Sequence, residues 1–312
     1  MRPTMNHDAS QLPYVLITPA RNEETHIDQL IKSVTAQSVP PAKWVIVNDG
    51  STDATASIVR EYLPRYEWME LVDLPQRRDR SFAAKVRAFN AGYERVKNVE
   101  YGVVGNLDAD VTFDEDYCSF LVSKFATDPT LGVAGTIFKE GDYSSDTDSF
   151  EGQNHVAGGC QMFRRRCFED IGGYVPNKAG GIDWIAVTTA RMKGWKTRSF
   201  REKAFFHHRS LGTAERGRLA SAFSYGEKDY YLGGHPVWEV FRVTYRLIKR
   251  PYLVGGLALY AGYVSAFLRR MDRPVSNELM RFHRKEQMLK LKAILKSLFA
   301  FRRVINFEVT PS

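Results

Sequence analysis

The sequence predicts an α/β fold, a mostly parallel sheet with helices on both faces, followed by a helical and basic C-terminal region. Three observations carry that expectation. Over the first hundred or so residues, short runs rich in Val and Ile alternate with longer stretches of helical spacing, the order a parallel sheet demands. Three of the apolar runs end in polar residues: Pro19-Ala-Arg-Asn-Glu23, Asn48-Asp-Gly-Ser-Thr-Asp53 and Asp108-Ala-Asp110. Charge is also unevenly spread: residues 239–312 hold 15 Lys and Arg against 5 Asp and Glu, whereas residues 1–238 hold 29 against 31.

Taken in order, residues 14–18 read as a short strand. Residues 24–37 have helical spacing through Ile27, Leu30, Ile31 and Val34, and the helix must stop before Pro40-Pro41. Residues 43–48 predict a second strand and 53–63 a second helix, with Ser51 or Thr52 placed to cap it. A third strand over 69–74 and a long helix over 81–97 lead to a fourth strand over 101–107. Beyond it the pattern predicts a helix over 115–126, a strand over 132–138 and a polar loop around 141–149. Gly158-Gly159 precede a short strand through Phe163, and a turn at Gly172-Gly173 precedes a helix near 182–193. The expected organisation is a tail over 1–12, a main domain over 13–210 and a helical region over 211–312.

Composition narrows the class. A hydrophobic content of 44% with 26% charged residues suits a folded, water-soluble chain. Cys118, Cys160 and Cys167 show no CxxC spacing and read as reduced thiols in a cytoplasmic protein. The first residues show no apolar core of a secretory signal. The basic C-terminal region points to an acidic partner. Nucleic acid is not expected, because the main domain is near neutral and carries no motif for it. An anionic membrane surface fits better. Residues 252–268 are 17 without a charge, bracketed by Lys249-Arg250 and Arg269-Arg270. That is the lower limit for a bilayer span, and basic residues on both flanks suit helices lying in the interface better than one crossing it. Residues 280–301 read as an amphipathic basic helix. The expectation is a cytoplasmic protein held at the inner face of the cell membrane, with a single span left open.

The acidic pair carries the chemistry. Alternation along a strand puts Asp108 and Asp110 on one side, at the strand's C-terminal end. Converging carboxylates repel unless a cation lies between them, and Mg²⁺ or Mn²⁺ held there commonly also takes phosphate oxygens. In open α/β sheets ligands bind beyond the carboxyl ends of the strands, where all three polar clusters fall.

These motifs, Thr18-Pro-Ala-Arg-Asn-Glu-Glu24, Val47-Asn-Asp-Gly-Ser-Thr-Asp53 and Asn106-Leu-Asp-Ala-Asp110, resemble those of the family 2 inverting glycosyltransferases. The resemblance runs over residues 13–210 and implies the Rossmann-like GT-A fold. It implies a nucleotide-sugar donor gripped by Pro19, Ala20, Arg21 and Glu23 at the first strand end, by Asp49 at the nucleobase and by Asp108 at the ribose or a metal-bound water. Asp110 would bind Mg²⁺ or Mn²⁺ directly, and His207, preferred over His208, would be a further metal or diphosphate contact. Arg80 and Lys85 resemble the family's segment facing the diphosphate. The family's catalytic base falls at Asp183, where the usual preceding acid is replaced by Ile182; the plainer reading of Asp183 is a helix cap. Gly158, Gly159 and Trp184 would line the acceptor side. The Gln-x-x-Arg-Trp element and long apolar spans of the family's processive members are absent, which implies a single sugar addition.

The expected activity is transfer of a sugar, from a UDP-sugar by default, to a hydroxyl of a lipid-linked or cell-envelope glycan precursor. The alternative acceptor is a polyprenyl phosphate, already an anion, for which Asp183 would be dispensable. A catalytically silent nucleotide-sugar-binding scaffold on the membrane would be expected to lack the Asp108 and Asp110 pair, and a sugar-nucleotide pyrophosphorylase would carry a Gly-rich first strand end.

Overall fold

In β1 (Tyr14–Ala20), Tyr14 and Leu16 point into one apolar core while Val15 and Ile17 point into another, as two-residue alternation requires. The neighbouring strand β2 (Lys43–Asn48) does the same, with Trp44 and Ile46 on the first side and Val45 and Val47 on the second. Both faces of this sheet are therefore covered, and its strands read as nearly continuous apolar runs. The computed structural model describes residues 12–76, 82–141, 143–145, 152–177, 179–208, 213–248 and 252–299. They fall into two compact units. The first comprises residues 1–146, 153–178 and 182–208, the second residues 147–152, 179–181 and 209–312.

The first unit holds a nine-stranded mixed sheet. β3 (Met69–Asp73), β2, β1 and β4 (Val103–Leu107) are mutually parallel, which is the half the sequence pattern predicts. Beyond β4 the sheet continues through β8 (Cys160–Arg164), antiparallel to both β4 and β6 (Leu131–Glu140). β6 runs parallel to β9 (Lys196–His207), whose end pairs antiparallel with β5 (Val111–Thr112), and β7 (Tyr143–Ser144) pairs with β6. Helices α1 (Ile27–Thr35), α2 (Thr55–Tyr62) and α4 (Tyr117–Thr127) bury their apolar stripes on the Trp44 side. Helices α3 (Phe82–Val96), α5 (Arg165–Asp170) and α6 (Ile182–Met192) bury theirs on the Val45 side. In α1 the buried side chains are Ile27, Leu30, Ile31 and Val34, each contributing about 1.5–3 kcal/mol of burial. Gly92 lets α3 lie directly on the sheet, since a Cβ there would sit 2.7 Å from Ile17 Cγ2.

Neither Ser51 nor Thr52 caps α2. The helix starts at Thr55, the Ala54 amide donates to Glu24 Oε2 at 3.0 Å, and the Thr55 amide donates to Asp53 Oδ1 at 3.0 Å. Ser51 and Thr52 instead hold the loop after β1: the Asn22 amide donates to Ser51 Oγ at 3.0 Å, and the Thr52 amide to Asn22 Oδ1 at 2.9 Å. The sequence signal was a hydroxyl near a helix start, and a long-range partner claims it.

The second unit is helical: α7 (Thr213–Tyr231), α8 (Pro236–Leu247), α9 (Val254–Leu268) and α10 (Asn277–Phe299). A non-helical Gly217, at φ +69°, breaks the start of α7. α7 and α9 approach backbone to backbone at Gly226 and Gly262; a Cβ on either would overlap a carbonyl oxygen of the other helix. Tyr230 packs edge-on against Tyr263, and the Arg273 guanidinium lies 4.3 Å from the Tyr230 ring centre. Trp238 of α8 is buried against Leu291 and Ile294 of α10. No described helix is long and apolar enough to cross a membrane.

Candidate active site at the strand ends

The C-terminal ends of β1 and β2 are tied together by their own backbones. The Asp49 amide donates to the Ala20 carbonyl at 2.8 Å, and the Glu23 amide donates to Thr55 Oγ1 at 2.8 Å. Glu23 and Asp49 are both buried, at 8% and 4% exposure. Gly50 turns the chain at φ +67°, where a Cβ would meet Gln76 Cα at 2.5 Å, so only glycine fits both the turn and the space. Asn48 Nδ2 donates to Asp73 Oδ1 at 2.7 Å, linking in the end of β3. The nucleotide-binding residues expected at Pro19, Ala20, Arg21, Glu23 and Asp49 thus share one sheet edge.

The second cluster grows from β4. Antiparallel pairing sets Asn106 opposite Gln161 and Leu107 opposite Cys160, which brings the Gly158-Gly159 loop beside Asp108. The Asp108 amide donates to the Gly159 carbonyl at 2.9 Å and Asn106 Nδ2 to the Gly158 carbonyl at 2.7 Å. Gly158 also abuts the carboxylate of Asp183: a Cβ there would lie 2.9 Å from Asp183 Cβ and 3.1 Å from its Oδ2. Asp183 is the second residue of α6 rather than its cap, and the chain enters that helix through Gly180 and Gly181 at positive φ. A carboxylate in a first turn is favoured by the helix dipole.

Pairing of β5 with β9 sets Val111 opposite His207. Asp108, Asp110 and His207 consequently converge, with one ligand atom from each lying within 4.8 Å of the others. His207 Nε2 lies 3.6 Å from Asp110 Oδ1. The neighbouring His208 is turned elsewhere. Its Nε2 lies 2.8 Å from Thr112 Oγ1 and its ring stacks on His26 at 6.1 Å. Adjacent strand residues face opposite ways, which is why only one histidine joins the acidic pair.

Lys85 of α3 donates to Asp108 Oδ1 at 2.5 Å. Burial works against its charge, but Asp108, and more weakly Asp183 and Asp110, hold the ammonium above its usual pKa. Two carboxylates suit a hard cation such as Mg²⁺ or Mn²⁺, and of the two Mn²⁺ accepts an imidazole nitrogen more readily than Mg²⁺. Ligand atoms around such an ion lie at most about 4.4 Å apart, so the donor set fits after small closure.

Of the other expected site residues, Trp184 is buried at 7% exposure, and Ile182, standing where an acid was expected, is part of the core. Arg80 lies outside the described residues. Asn106 opens the acidic motif in the sequence without a role of its own there, and Thr112 and His26 are not among its expected site residues. Asn106 shares a strand side with Asp108 and could have been found by its spacing; Thr112 and His26 depend on pairings that no local pattern encodes.

The glycosyl transferase family 2 model matches residues 15–149. Poly-beta-1,6-N-acetyl-D-glucosamine synthases from Staphylococcus epidermidis and Staphylococcus aureus strain COL are each 32% identical over 112 residues, 36% of this chain and 25% of theirs. The chain thus spans about a quarter of the length of these relatives. Among solved structures, a mannosyltransferase from Pyrobaculum calidifontis in complex with GDP-Man and Mn²⁺ superposes with a TM-score of 0.60 at 18% identity, covering 83% of this chain and 88% of that one. S. aureus TarS 1–349 in complex with UDP-GlcNAc gives 0.54 at 16%, covering 92% and 87%. GalNAc-T7 with UDP, GalNAc and Mn²⁺ gives 0.61 at 14%, covering 93% and 58%. The fold is that of the GT-A glycosyltransferases.

Proposed function

We propose that this chain, whose residues 15–149 carry a family 2 glycosyltransferase domain, moves a sugar from a nucleotide-sugar donor to an acceptor hydroxyl with inversion at the anomeric carbon. The observation that carries the reading is the meeting, at one sheet edge, of the Asp108, Asp110 and His207 cluster with Asp183 and Lys85. Residues 13–210 would form the catalytic domain and 211–312 the membrane-associating region.

In this reading Asp49, with Pro19 to Glu23, holds the nucleoside, and Asp108 reaches the ribose or a metal-bound water. Asp49 offers an acceptor for the imide N–H of uracil, which thymine and guanine also present, and a UDP-sugar is the default donor. Asp110 and His207 would hold Mg²⁺ or Mn²⁺, which neutralises the charge growing on the departing diphosphate. Lys85 supplies fixed positive charge beside Asp108. Asp183 takes the proton of the acceptor hydroxyl as its oxygen attacks the anomeric carbon and the bond to the diphosphate breaks. Gly158, Gly159 and Trp184 would bound the acceptor side. Relatives named as poly-beta-1,6-N-acetyl-D-glucosamine synthases, and the basic C-terminal region, support a lipid-linked or cell-envelope glycan acceptor at the inner face of the membrane.

Titration of the purified chain with UDP, GDP and dTDP, with and without Mn²⁺, tests the donor site. Metal-dependent binding of one nucleotide is expected, reduced at least about a hundredfold in Asp110→Ala. Absence of binding by every nucleotide would sink the transferase reading and leave a scaffold as the better account.

A further inference from the structure

α9 is uncharged throughout and apolar nearly all round, the pattern of a helix surrounded by apolar matter. Only one face is enclosed. Gly256, Leu259, Gly262, Tyr263 and Ala266 are buried, and the backbone contact with α7 at Gly262 fixes how the helix is rotated about its axis. The opposite side presents Leu253, Leu257, Tyr260 and Leu268 at 61, 59, 48 and 72% exposure. This stripe runs for about 22 Å at the helical rise. α8 packs beside α9, and Ile248 at its end is 69% exposed. Exposed apolar surface of this extent marks an interaction site.

Charge says what covers it. α10 exposes Arg281, Lys285, Lys292 and Lys296 at helical spacing, so its outer face is a basic stripe. Residues 239–312 carry ten more basic than acidic residues. A second copy would bring together two regions of like charge, whereas an anionic bilayer offers apolar depth under a negative surface. A 15-residue helix is too short to cross the hydrocarbon core, a length that suits lying in the interface plane. Tyr260 is of the amphipathic type that settles at headgroup level.

The geometry points to the outer face of α9 as the surface by which this chain seats on an anionic lipid bilayer, steered there by the basic stripe of α10. The inference rests on the membrane-surface reading above and names the residues that make the contact.

Flotation of the full chain with vesicles of phosphatidylcholine, alone or mixed with phosphatidylglycerol, tests it. The chain is expected to float with the mixed vesicles and to be partly released by salt. Leu257→Glu with Leu268→Glu, and separately Lys285→Glu with Lys292→Glu, should each weaken partitioning roughly tenfold or more. Circular dichroism and Mn²⁺-dependent UDP binding of the same preparations should be unchanged. Unaltered flotation of the variants, or none by the parent chain, overturns the inference. So does a concentration-dependent dimer that the leucine variant dissociates, since a second copy would then cover the face. Loss of flotation with UDP binding intact leaves the transferase reading standing; flotation without UDP binding has the opposite meaning.

Discussion

Asp183 lies in the first turn of α6 but outside the apolar face that anchors the helix. α6 is anchored in the core by Ile182, Ala186 and Val187, and Asp183 turns instead toward Gly158, whose lack of a side chain makes the room. A carboxylate acting as a general base contributes a factor of about 10²–10⁴ to the chemical step. Asp183→Asn keeps the shape and removes the basicity, so kcat for a hydroxyl acceptor should fall by about that factor. The KM for the donor should change little, because the proposed nucleotide contacts lie elsewhere. Steady-state kinetics on the variant checks both quantities. Near-parental kcat would favour an acceptor that is already an anion, a polyprenyl phosphate above all.

At the scale of elements, the parallel half of the sheet and its helices were legible because each is encoded locally. Ile27, Leu30, Ile31 and Val34 announce α1, and the Val-rich runs announce β2 and β4. What was not legible is held by pairing. β5 is two residues long and exists as a strand through β9, while β9 mixes buried Thr197, Ser199 and Phe205 with Lys, Arg and Glu. That pair nevertheless brings His207 to the acidic pair, so the third member of the cluster could be guessed but not located. The second unit shows the converse, a contact written in glycines whose partners the sequence does not name. Replacing Gly262 with Ala would raise the helix propensity of α9 by about 1 kcal/mol. The new methyl would, however, press on the Phe223 carbonyl, and rigid backbone cannot yield as a side chain does. Overpacking of this kind costs about 1–3 kcal/mol or more, so the clash wins. Urea unfolding should show Gly262→Ala destabilised; a more stable variant would mean that the α7–α9 contact is looser than described.

For the molecule as a whole, two electrostatic effects oppose each other as pH rises. The chain carries 44 basic against 36 acidic residues and a pI near 9.3, so raising the pH from about 6 to about 8.5 reduces its net charge and its self-repulsion. That alone would stabilise it. Glu239 works the other way. It is 2% exposed, its Oε1 has no hydrogen-bond partner among the described residues, and burial, followed by the nearby Asp229, pushes its pKa up to about 8 despite Arg242 on the same helix. Between its ordinary value of 4.5 and about 8, the folded chain keeps a proton that the unfolded chain has released, so stability must fall as pH rises through that window. A shift of that size corresponds to a few kcal/mol, whereas a modest net charge spread over a 312-residue surface and screened by salt amounts to less. The local term should therefore dominate, and the thermal midpoint of the parent chain should decline from about pH 6 to about pH 8.5. Glu239→Gln keeps the shape of the protonated acid without its ionisation. Its midpoint should decline less and exceed the parent's by a margin that grows with pH. Parallel curves for the two proteins would show that Glu239 does not titrate in this range, and that its environment is more polar than its burial implies.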